Sequence, residues 1–256
     1  MEALIGIAVL CVAAIVLIAR RRSSPPIPTP AVTTLAPPAV AQKPRSTWAP
    51  PPQPRLPNLE RIKNLPENWI ALDVETTGIG PKSEILEIGI VDKSGNILMN
   101  CLVKPKGRIQ SEASEVHGIF RKEVKNEKDF PLISQDFFEI LNNCSVICYN
   151  AEYEMALIKQ TCDKFGIRTP HISFSCAMLA YAEYVGEPHK WRQGEYRWWK
   201  LAEALKREGI EAATSHRACA DAEVTRQLVL AMQTKPAPAR SPATPSPLSG
   251  PSIRPK

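Results

Sequence analysis

Residues 69–78 read WIALDVETTG, and this stretch decides the fold. Apolar residues alternate along it up to Asp73 and Glu75, which predicts a strand over residues 69–76. Residues two apart on a strand point to the same face, so both carboxylates project together. Two adjacent like charges are unfavourable unless a cation lies between them. The pair taken alone is equally compatible with an exposed acidic strand, so the metal interpretation depends on the rest of the chain.

Two later segments supply the other candidate site residues. YNAEYE ends at Glu154, and SHRACADAEVT contains His216 and Asp221. Residues five apart lie about 140° from each other on a continuous helix. Both can therefore reach one site only if His216 lies on the loop before a helix, with Ser215 as its candidate N-cap, and Asp221 lies in the early turns. Histidine is usually structural when it occurs alone, but its pKa near neutrality suits a general base.

Four acids and one base are what a two-metal phosphodiesterase requires. The carboxylates of such a site hold two hard divalent cations, Mg²⁺ or Mn²⁺, and the base takes a proton from the attacking water. The motifs resemble those of the DEDDh 3′→5′ exonucleases, the group that contains polymerase proofreading subunits, ribonuclease T and oligoribonuclease. The resemblance covers residues 69–232 and implies an α/β, ribonuclease H-like mixed sheet flanked by helices.

The same resemblance implies a role for each candidate residue. Asp73 would bridge both metals, and Glu75 and Asp221 would complete the metal that activates water. Glu154 would bind the second metal, and His216 would be the general base. The expected activity is the release of nucleoside monophosphates from single-stranded DNA or RNA ends.

Glu154 departs from the family pattern, which has aspartate at this position. The neighbours Asn150 and Ala151 match the family, and Tyr153 fits its pattern, so the alignment holds. Glutamate is one methylene longer, and a displacement of about 1 Å can cost roughly 100-fold in rate. The sequence leaves open four interpretations: a site adapted to glutamate, a misplaced second metal, a Glu154 that takes no part in the site, and a decayed site in a nucleic-acid-binding or scaffold protein.

Several polar residues are candidate substrate contacts. Thr76 and Thr77 precede a glycine, and this turn can offer backbone groups to a substrate terminus. His117 lies in EVHGI, which resembles the family segment near that terminus, and either contacts the nucleotide or holds a loop. Asn150 occupies the expected N-cap of a helix and is a further candidate.

Residues 189–200, HKWRQGEYRWWK, interleave aromatic and basic side chains. This pattern suits stacking on single-stranded bases, with Trp191 as the candidate contact. The spacing of Trp198 from Leu201 and Leu205 instead indicates a helix face packed on a core. Under that alternative, Trp191 and Tyr196 are the members expected to stay exposed.

Proline and charge both separate the ends of the chain from its middle. Nineteen of 25 prolines lie in residues 1–58 and 234–256, which hold ten basic residues and one acid. The middle holds 22 basic and 25 acidic residues, so the net charge of +6 belongs to the flanks. This excludes a strongly basic nucleic-acid-binding surface over the whole domain. A metal-dependent nuclease tolerates the balance because its cations supply positive charge.

The N-terminus carries a membrane signal. Residues 3–19 are uncharged and are followed at once by Arg20, Arg21 and Arg22. Such a helix is about 25 Å long at ~1.5 Å per residue, enough to span if the arginines snorkel. A cleaved signal peptide has its positive charges before the apolar run. The order here predicts a single-pass anchor in the inner membrane, with the rest of the chain in the cytoplasm.

The remaining organisation follows from composition. Residues 23–58 are a proline-rich linker, 59–233 the exonuclease domain and 234–256 a disordered proline-rich tail. Proline-rich flanks also allow a membrane adaptor, an interpretation that does not explain the acids. All seven cysteines are expected to be reduced thiols, because no CxxC pair occurs.

Within the domain, EILEIGIVDKSGNILMNCLVKP predicts a hairpin that turns at DKSGN, and SVICY a buried strand containing Cys148. Apolar periodicity predicts helices over residues 132–141, 151–165, 201–208 and 217–232. Three strands followed by alternating helix and strand indicate a mixed sheet covered by helices.

Overall fold

The computed structural model describes residues 57–192, 195–211 and 216–237. Its strands form one mixed sheet in the order β3-β2-β1-β4-β5. The first three strands pair antiparallel, and β4 and β5 join β1 in parallel. The strands are β1 (Trp69–Thr76), β2 (Ile85–Asp92), β3 (Ile97–Leu102), β4 (Ser145–Cys148) and β5 (Phe174–Cys176). The predicted mixed sheet and the predicted first strand are confirmed.

Helices cover both faces of the sheet. They are α1 (Asn58–Lys63), α2 (Ser111–His117), α3 (Arg121–Val124), α4 (Phe130–Asn142), α5 (Ala151–Phe165), α6 (Ala177–Val185), α7 (Leu201–Glu208) and α8 (Ala218–Thr234). The predicted α5 and α7 agree residue for residue. The predicted helix over 132–141 begins two residues earlier, because proline is tolerated in a first helical turn.

Strand β1 serves two apolar cores because its residues alternate between the two faces of the sheet. Ile70, Leu72 and Val74 pack in the core that holds α4 and α5. Trp69 and Ala71 pack in the core that holds α6 and α8. Fully burying one such aliphatic side chain contributes about 1.5–3 kcal/mol. The row that begins with Trp69 and Ala71 continues to Asp73 and Glu75, so both acids emerge on the face covered by α8.

The hairpin turn forms where it was predicted. Asp92 Oδ1 accepts hydrogen bonds from the backbone N–H groups of Ser94, at 2.8 Å, and Asn96, at 2.9 Å. Gly95 has φ 92°, which favours glycine. These contacts fix the register in which β2 pairs with β3.

Gly89 determines how closely α8 approaches the sheet. It is the register partner of Asp73 on β2. A Cβ atom there would lie 2.2 Å from the backbone nitrogen of Cys219. Because glycine has no Cβ, the first turn of α8 rests directly on β2 beside Asp73.

Sequence patterns did not predict α1, α2, α3, α6 and β5. Helix α6 buries residues around most of its circumference, among them Ala177, Tyr181 and Val185. A helix buried in this way has no polar face, so amphipathic periodicity cannot identify it. Strand β5 spans only three residues, too few for an alternating pattern.

The predicted anchor over residues 3–19 lies outside the described residues, as do most of the proline-rich linker and tail. In the part of the chain that the structure describes, no helix is long and apolar enough to cross a membrane. The six described cysteines are free thiols, and Cys148 is buried in β4, as predicted.

Candidate metal centre

Three of the predicted acids meet at one end of the sheet. Asp73 and Glu75 lie on β1, and Asp221 lies in the first turn of α8. Each offers a carboxylate oxygen, and these oxygens all lie within 4.8 Å of one another. Oxygen ligands at this spacing suit a hard divalent cation. The prediction that distant segments converge on one acid cluster is confirmed for these three residues.

The cluster is electrostatically unfavourable without a cation. Burial raises the pKa of Asp73 well above its usual value, and the neighbouring carboxylates of Glu154, Glu75 and Asp221 raise it further. Burial and then Asp221 raise the pKa of Glu75 to about 8, although His216 opposes the shift. Bound divalent cations would offset this crowding by taking the place of protons.

Glu154 faces the same cluster from α5, on the other side of the sheet. It is 5% exposed, and its Oε2 atom accepts no hydrogen bond from the described protein atoms. Burial raises its pKa well above the usual value, and Glu75 adds to the shift. Glu154 lies outside the group of three acids whose oxygens are within 4.8 Å. A buried carboxylate oxygen without a donor among the described protein atoms fits a metal ligand that closes the site from a second direction.

His216 lies on the loop before α8, as the five-residue spacing required. Its Nδ1 lies 3.1 Å from Oδ2 of Asp221, and its side chain is 64% exposed. The hydrogen bond to Asp221 raises the pKa of His216, and partial burial opposes this. Because Nδ1 is hydrogen-bonded to the Asp221 carboxylate, Nε2 is the ring nitrogen that can accept a proton. The candidate N-cap Ser215 lies outside the described residues.

Thr76 and Thr77 use their hydroxyl groups within the turn that follows β1. Thr76 Oγ1 donates to the carbonyl of Gly78 at 2.8 Å, and Thr77 Oγ1 accepts from the N–H of Glu84 at 3.0 Å. Both side chains are buried, so they stabilise the turn. Contact between this turn and a substrate terminus stays a prediction.

His117 holds the loop, one of its two predicted roles. It is 3% exposed, and its Nδ1 accepts the N–H of Ile119 at 3.0 Å. That bond leaves Nε2 to donate to the carbonyl of Thr76 at 3.2 Å. Burial lowers the pKa of His117, which favours the neutral ring that these two bonds require. A contact between His117 and a nucleotide remains untested.

Asn150 occupies the N-cap position of α5, as predicted, but its side chain makes no capping hydrogen bond. It is half-buried and lies between the end of β4 and the helix that carries Glu154. A substrate contact from this side chain stays a prediction.

The aromatic side chains of residues 189–200 divide between the two predicted roles, which are stacking on bases and packing on the core. Trp191 is 89% exposed, as predicted, whereas Tyr196 is half-buried. Trp199 packs against the core that contains α6 and α8, with the Arg197 guanidinium 4.1 Å from its ring centre. The half-buried Trp198 has Arg192 at 5.0 Å. Core packing therefore holds for Trp199 and not for Trp198, the residue for which the spacing predicted it, and Trp191 presents an exposed aromatic surface.

Sequence reasoning missed Glu87, a buried acid on β2. It accepts hydrogen bonds from the Arg217 guanidinium and from the N–H of Ala218, which begins α8. The one available signal was a charged residue inside the apolar run ILEIGIV. Acids are rarely fully buried unless they are paired.

The fold and the acid cluster together define a class: an α/β nuclease with metal-binding carboxylates. A family model for RNase T, described as exonuclease, matches residues 70–229, which is more than half of the chain. The chain therefore belongs to the RNase T exonuclease family. Its resemblance to DEDDh-type exonucleases is confirmed over nearly the span expected from the motifs.

Two curated relatives illustrate the similarity. The uncharacterized exonuclease CP81 of Escherichia phage 186 is 35% identical over 177 residues, which cover 66% of this chain and 90% of that protein. The 3′-5′ exonuclease DinG of Bacillus subtilis is 26% identical over 174 residues, which cover 66% of this chain. The match spans only 18% of DinG, so it concerns one part of that protein.

Solved structures show the same fold. The nuclease domain of 3′hExo, a DEDDh family member bound to rAMP, has a TM-score of 0.54 at 15% identity, covering 65% of this chain and 92% of that one. E. coli exonuclease I in complex with a dT13 oligonucleotide has a TM-score of 0.53 at 16% identity, covering 65% of this chain and 41% of that one. These likenesses confirm the ribonuclease H-like arrangement of the sheet and helices.

The raised pKa of Glu75 predicts how the stability of the metal-free domain depends on pH. Because this pKa rises from 4.5 to about 8 on folding, the folded state binds more protons than the unfolded state between these values. The free energy of unfolding should therefore fall as the pH rises from about 5 to about 8 in EDTA. Mg²⁺ or Mn²⁺ should raise Tm more at pH 8 than at pH 5, because cations and protons compete for the same oxygens.

Thermal unfolding monitored by circular dichroism measures this effect. Glu75→Gln should weaken the pH dependence, whereas Glu139→Gln, which alters an exposed acid on α4, should leave it unchanged. A Tm in EDTA that rises from pH 5 to pH 8 would contradict the assignment.

Proposed function

We propose that the domain is a divalent-metal-dependent 3′→5′ exonuclease that removes nucleoside monophosphates from single-stranded ends. The observation that carries this proposal is the convergence of Asp73, Glu75 and Asp221 within 4.8 Å beside His216. The name of DinG as a 3′-5′ exonuclease supports the direction. The exonuclease I complex with dT13, a protein of the same fold, supports a nucleic-acid substrate.

The residues present fit a two-metal centre. Asp73, Glu75 and Asp221 would hold one ion, and Asp73 and Glu154 the other. Two bound cations supply a more acidic attacking water and neutralise charge on the phosphate and the leaving oxygen. Metal dependence agrees with the raised pKa values of Asp73 and Glu154, because both groups sit where an uncompensated negative charge is unfavourable.

His216 would take the proton from the attacking water. The Asp221 carboxylate holds Nδ1 and so orients the ring, which leaves Nε2 toward solvent as the proton acceptor. The water oxygen bonds to phosphorus, the bond from phosphorus to the 3′ oxygen breaks, and the leaving 3′ oxygen takes a proton from solvent water. The products are a nucleoside 5′-monophosphate and a strand shortened by one nucleotide, with a new 3′ hydroxyl.

Removal of any central residue should abolish turnover. Asp73→Ala, Asp221→Ala and His216→Ala should each lower kcat at least about 100-fold, the scale of a lost general base, without unfolding the domain. EDTA should remove activity, and Mg²⁺ or Mn²⁺ should restore it. The measurement uses 5′-labelled single-stranded DNA and RNA resolved on a denaturing gel.

Asp163→Ala is the matched control, since Asp163 is an exposed acid on α5. An Asp73→Ala variant as active as the parent would rule out the site. If the first product from the 5′-labelled strand is a labelled mononucleotide, the direction of degradation is 5′→3′ and the proposed polarity is wrong.

The preference for single strands rests on the segment 187–200. Pro188 and Tyr196 form an antiparallel bridge, and the N–H of His189 donates to the carbonyl of Glu195 at 2.8 Å. Trp191 lies between these bridged ends with Lys190 and Arg192 on either side. An exposed ring flanked in sequence by two basic residues suits a stacked base and its phosphates.

Trp191→Ala should raise KM for a single-stranded oligonucleotide about tenfold and change kcat less, because stacking on one base contributes about 1–3 kcal/mol. Steady-state kinetics on single-stranded and blunt duplex DNA provide the test. Leu132→Ala, at an exposed apolar residue on α4, is the control. Equal rates on both substrates for the parent would contradict the preference.

We further infer that the site has adapted to Glu154. Glu154→Asp should then lower kcat in Mg²⁺ by roughly 10- to 100-fold, as withdrawal of a ligand by about one methylene would. Glu152→Asp, an exposed position on the same helix, is the control. Rates of both variants and of Glu154→Gln are compared in Mg²⁺ and Mn²⁺.

The other outcomes separate the remaining interpretations of Glu154. A faster Glu154→Asp enzyme in Mg²⁺, with a smaller gain in Mn²⁺, would mean that the longer side chain misplaces the second metal. Unchanged rates for Glu154→Asp and Glu154→Gln would remove Glu154 from the metal site. A parent that binds single strands but cleaves none would favour a decayed site in a binding or scaffold protein.

We also propose that residues 3–19 anchor the protein in the inner membrane, with the domain in the cytoplasm. The support is the uncharged run followed at once by Arg20, Arg21 and Arg22. The full-length protein should stay in the membrane pellet after a carbonate wash. Release by carbonate would contradict the anchor, and digestion of the domain by protease added outside the inner membrane would contradict the orientation.

A further inference from the structure

Glu87 is a buried acid that the proposed mechanism does not use. It lies on β2 as the register partner of Glu75 and is 2% exposed. Partners in an antiparallel pair share a face, so Glu87 lies on the same side of the sheet as the metal-binding acids. A buried carboxylate is costly unless it is paired and hydrogen-bonded. Its partners therefore indicate what it is for.

Among the described residues, the donors to the Glu87 carboxylate all belong to the segment between His216 and Asp221. Arg217 Nε lies 3.0 Å from both carboxylate oxygens, and Arg217 Nη2 also donates to Oε1. The backbone N–H of Ala218 donates to Oε2 at 2.9 Å. Glu87 thus holds a side chain and a backbone group of consecutive residues.

This segment leads directly to two site residues. The carbonyl of Arg217 accepts the N–H of Asp221 at 2.9 Å, which starts the helical bonding of α8. His216 precedes Arg217 and bonds to Asp221 through Nδ1. Since Gly89 lets the first turn of α8 rest on β2, the backbone that Glu87 holds lies directly against the sheet. A shift of Arg217 would move both site residues.

We infer that Glu87 and Arg217 are positioning residues that fix His216 and Asp221 for catalysis, an inference that rests on the proposed nuclease function. Arg217 provides a planar fork that matches the carboxylate, which a lysine ammonium does not reproduce. Loss of a group that orients a metal ligand typically costs 10- to 100-fold in metal affinity or activity.

The ion pair of Glu223 and Arg226 is the matched control. It lies further along α8, with Arg226 Nε 2.7 Å and Nη2 2.6 Å from the Glu223 carboxylate. It resembles the Glu87 pair in chemistry, but among the described residues its hydrogen bonds reach none of the proposed site residues. A purely stabilising role of the Glu87 pair would lower Tm in its variants, as in those of the control pair, and would leave the kcat and Mn²⁺ affinity of the folded protein unchanged.

The test uses the full chain and its variants Arg217→Lys, Glu87→Gln, the double variant, Arg226→Lys and Glu223→Gln. We measure kcat and KM on a single-stranded oligonucleotide, Mn²⁺ affinity by calorimetry, and Tm. Arg217→Lys keeps the charge, so it keeps the fold even if Glu87→Gln does not.

Arg217→Lys and Glu87→Gln should each lower kcat and Mn²⁺ affinity about tenfold or more, with KM within about twofold of the parent. The double variant should lose little beyond either single change, because the two residues act as a unit. The control variants should retain parental kcat and Mn²⁺ affinity.

Parental kcat and Mn²⁺ affinity in Arg217→Lys, with an active parent, would overturn the positioning role and leave the nuclease proposal intact. Losses in Arg217→Lys that merely match a fall in the folded fraction would also overturn it. A parent that neither cleaves oligonucleotides nor binds Mn²⁺ would overturn both proposals.

Discussion

Mutual repulsion of carboxylates in a partly buried site is the constraint on which the rest of the structure depends. Asp73 and Glu75 share one strand, and Glu154 and Asp221 approach them from helices on opposite faces of the sheet. Burial and neighbouring charge raise the pKa of Asp73, Glu75 and Glu154 together. The scaffold must therefore hold these carboxylates close together against their electrostatic repulsion, until bound cations neutralise their charge.

The scaffold meets this constraint by burying both faces of β1. One face packs on the core of α4 and α5, and the other on the core of α6 and α8. The strand that carries two acids is thus the central strand of the sheet, held by apolar contacts on each side. Gly89 then brings α8 into backbone contact with the sheet, and the bond from Ala218 to Glu87 fixes where that helix begins.

Local pattern was enough for several elements that have one polar face. Helix α5 and helix α7 have such faces and were predicted to the residue, as was β1 with its terminal acids. Helix α6 and strand β5 were not predicted, because the first is buried on most sides and the second is too short for periodicity. The resemblance to a known family supplied the five candidate site residues but gave no account of Glu87, whose partner lies 130 residues away.

The sequence by itself indicated the candidate metal ligands, the candidate general base and the order in which the chain supplies them, because these depend on residue type and spacing. It also required that His216 precede the helix that carries Asp221. Tertiary structure alone decided that His117 holds a loop, that Trp199 packs against the core, and that Glu87 binds Arg217. Each of these features depends on a contact with a residue that is far away in the sequence but close in space. Local periodicity carries no information about such contacts.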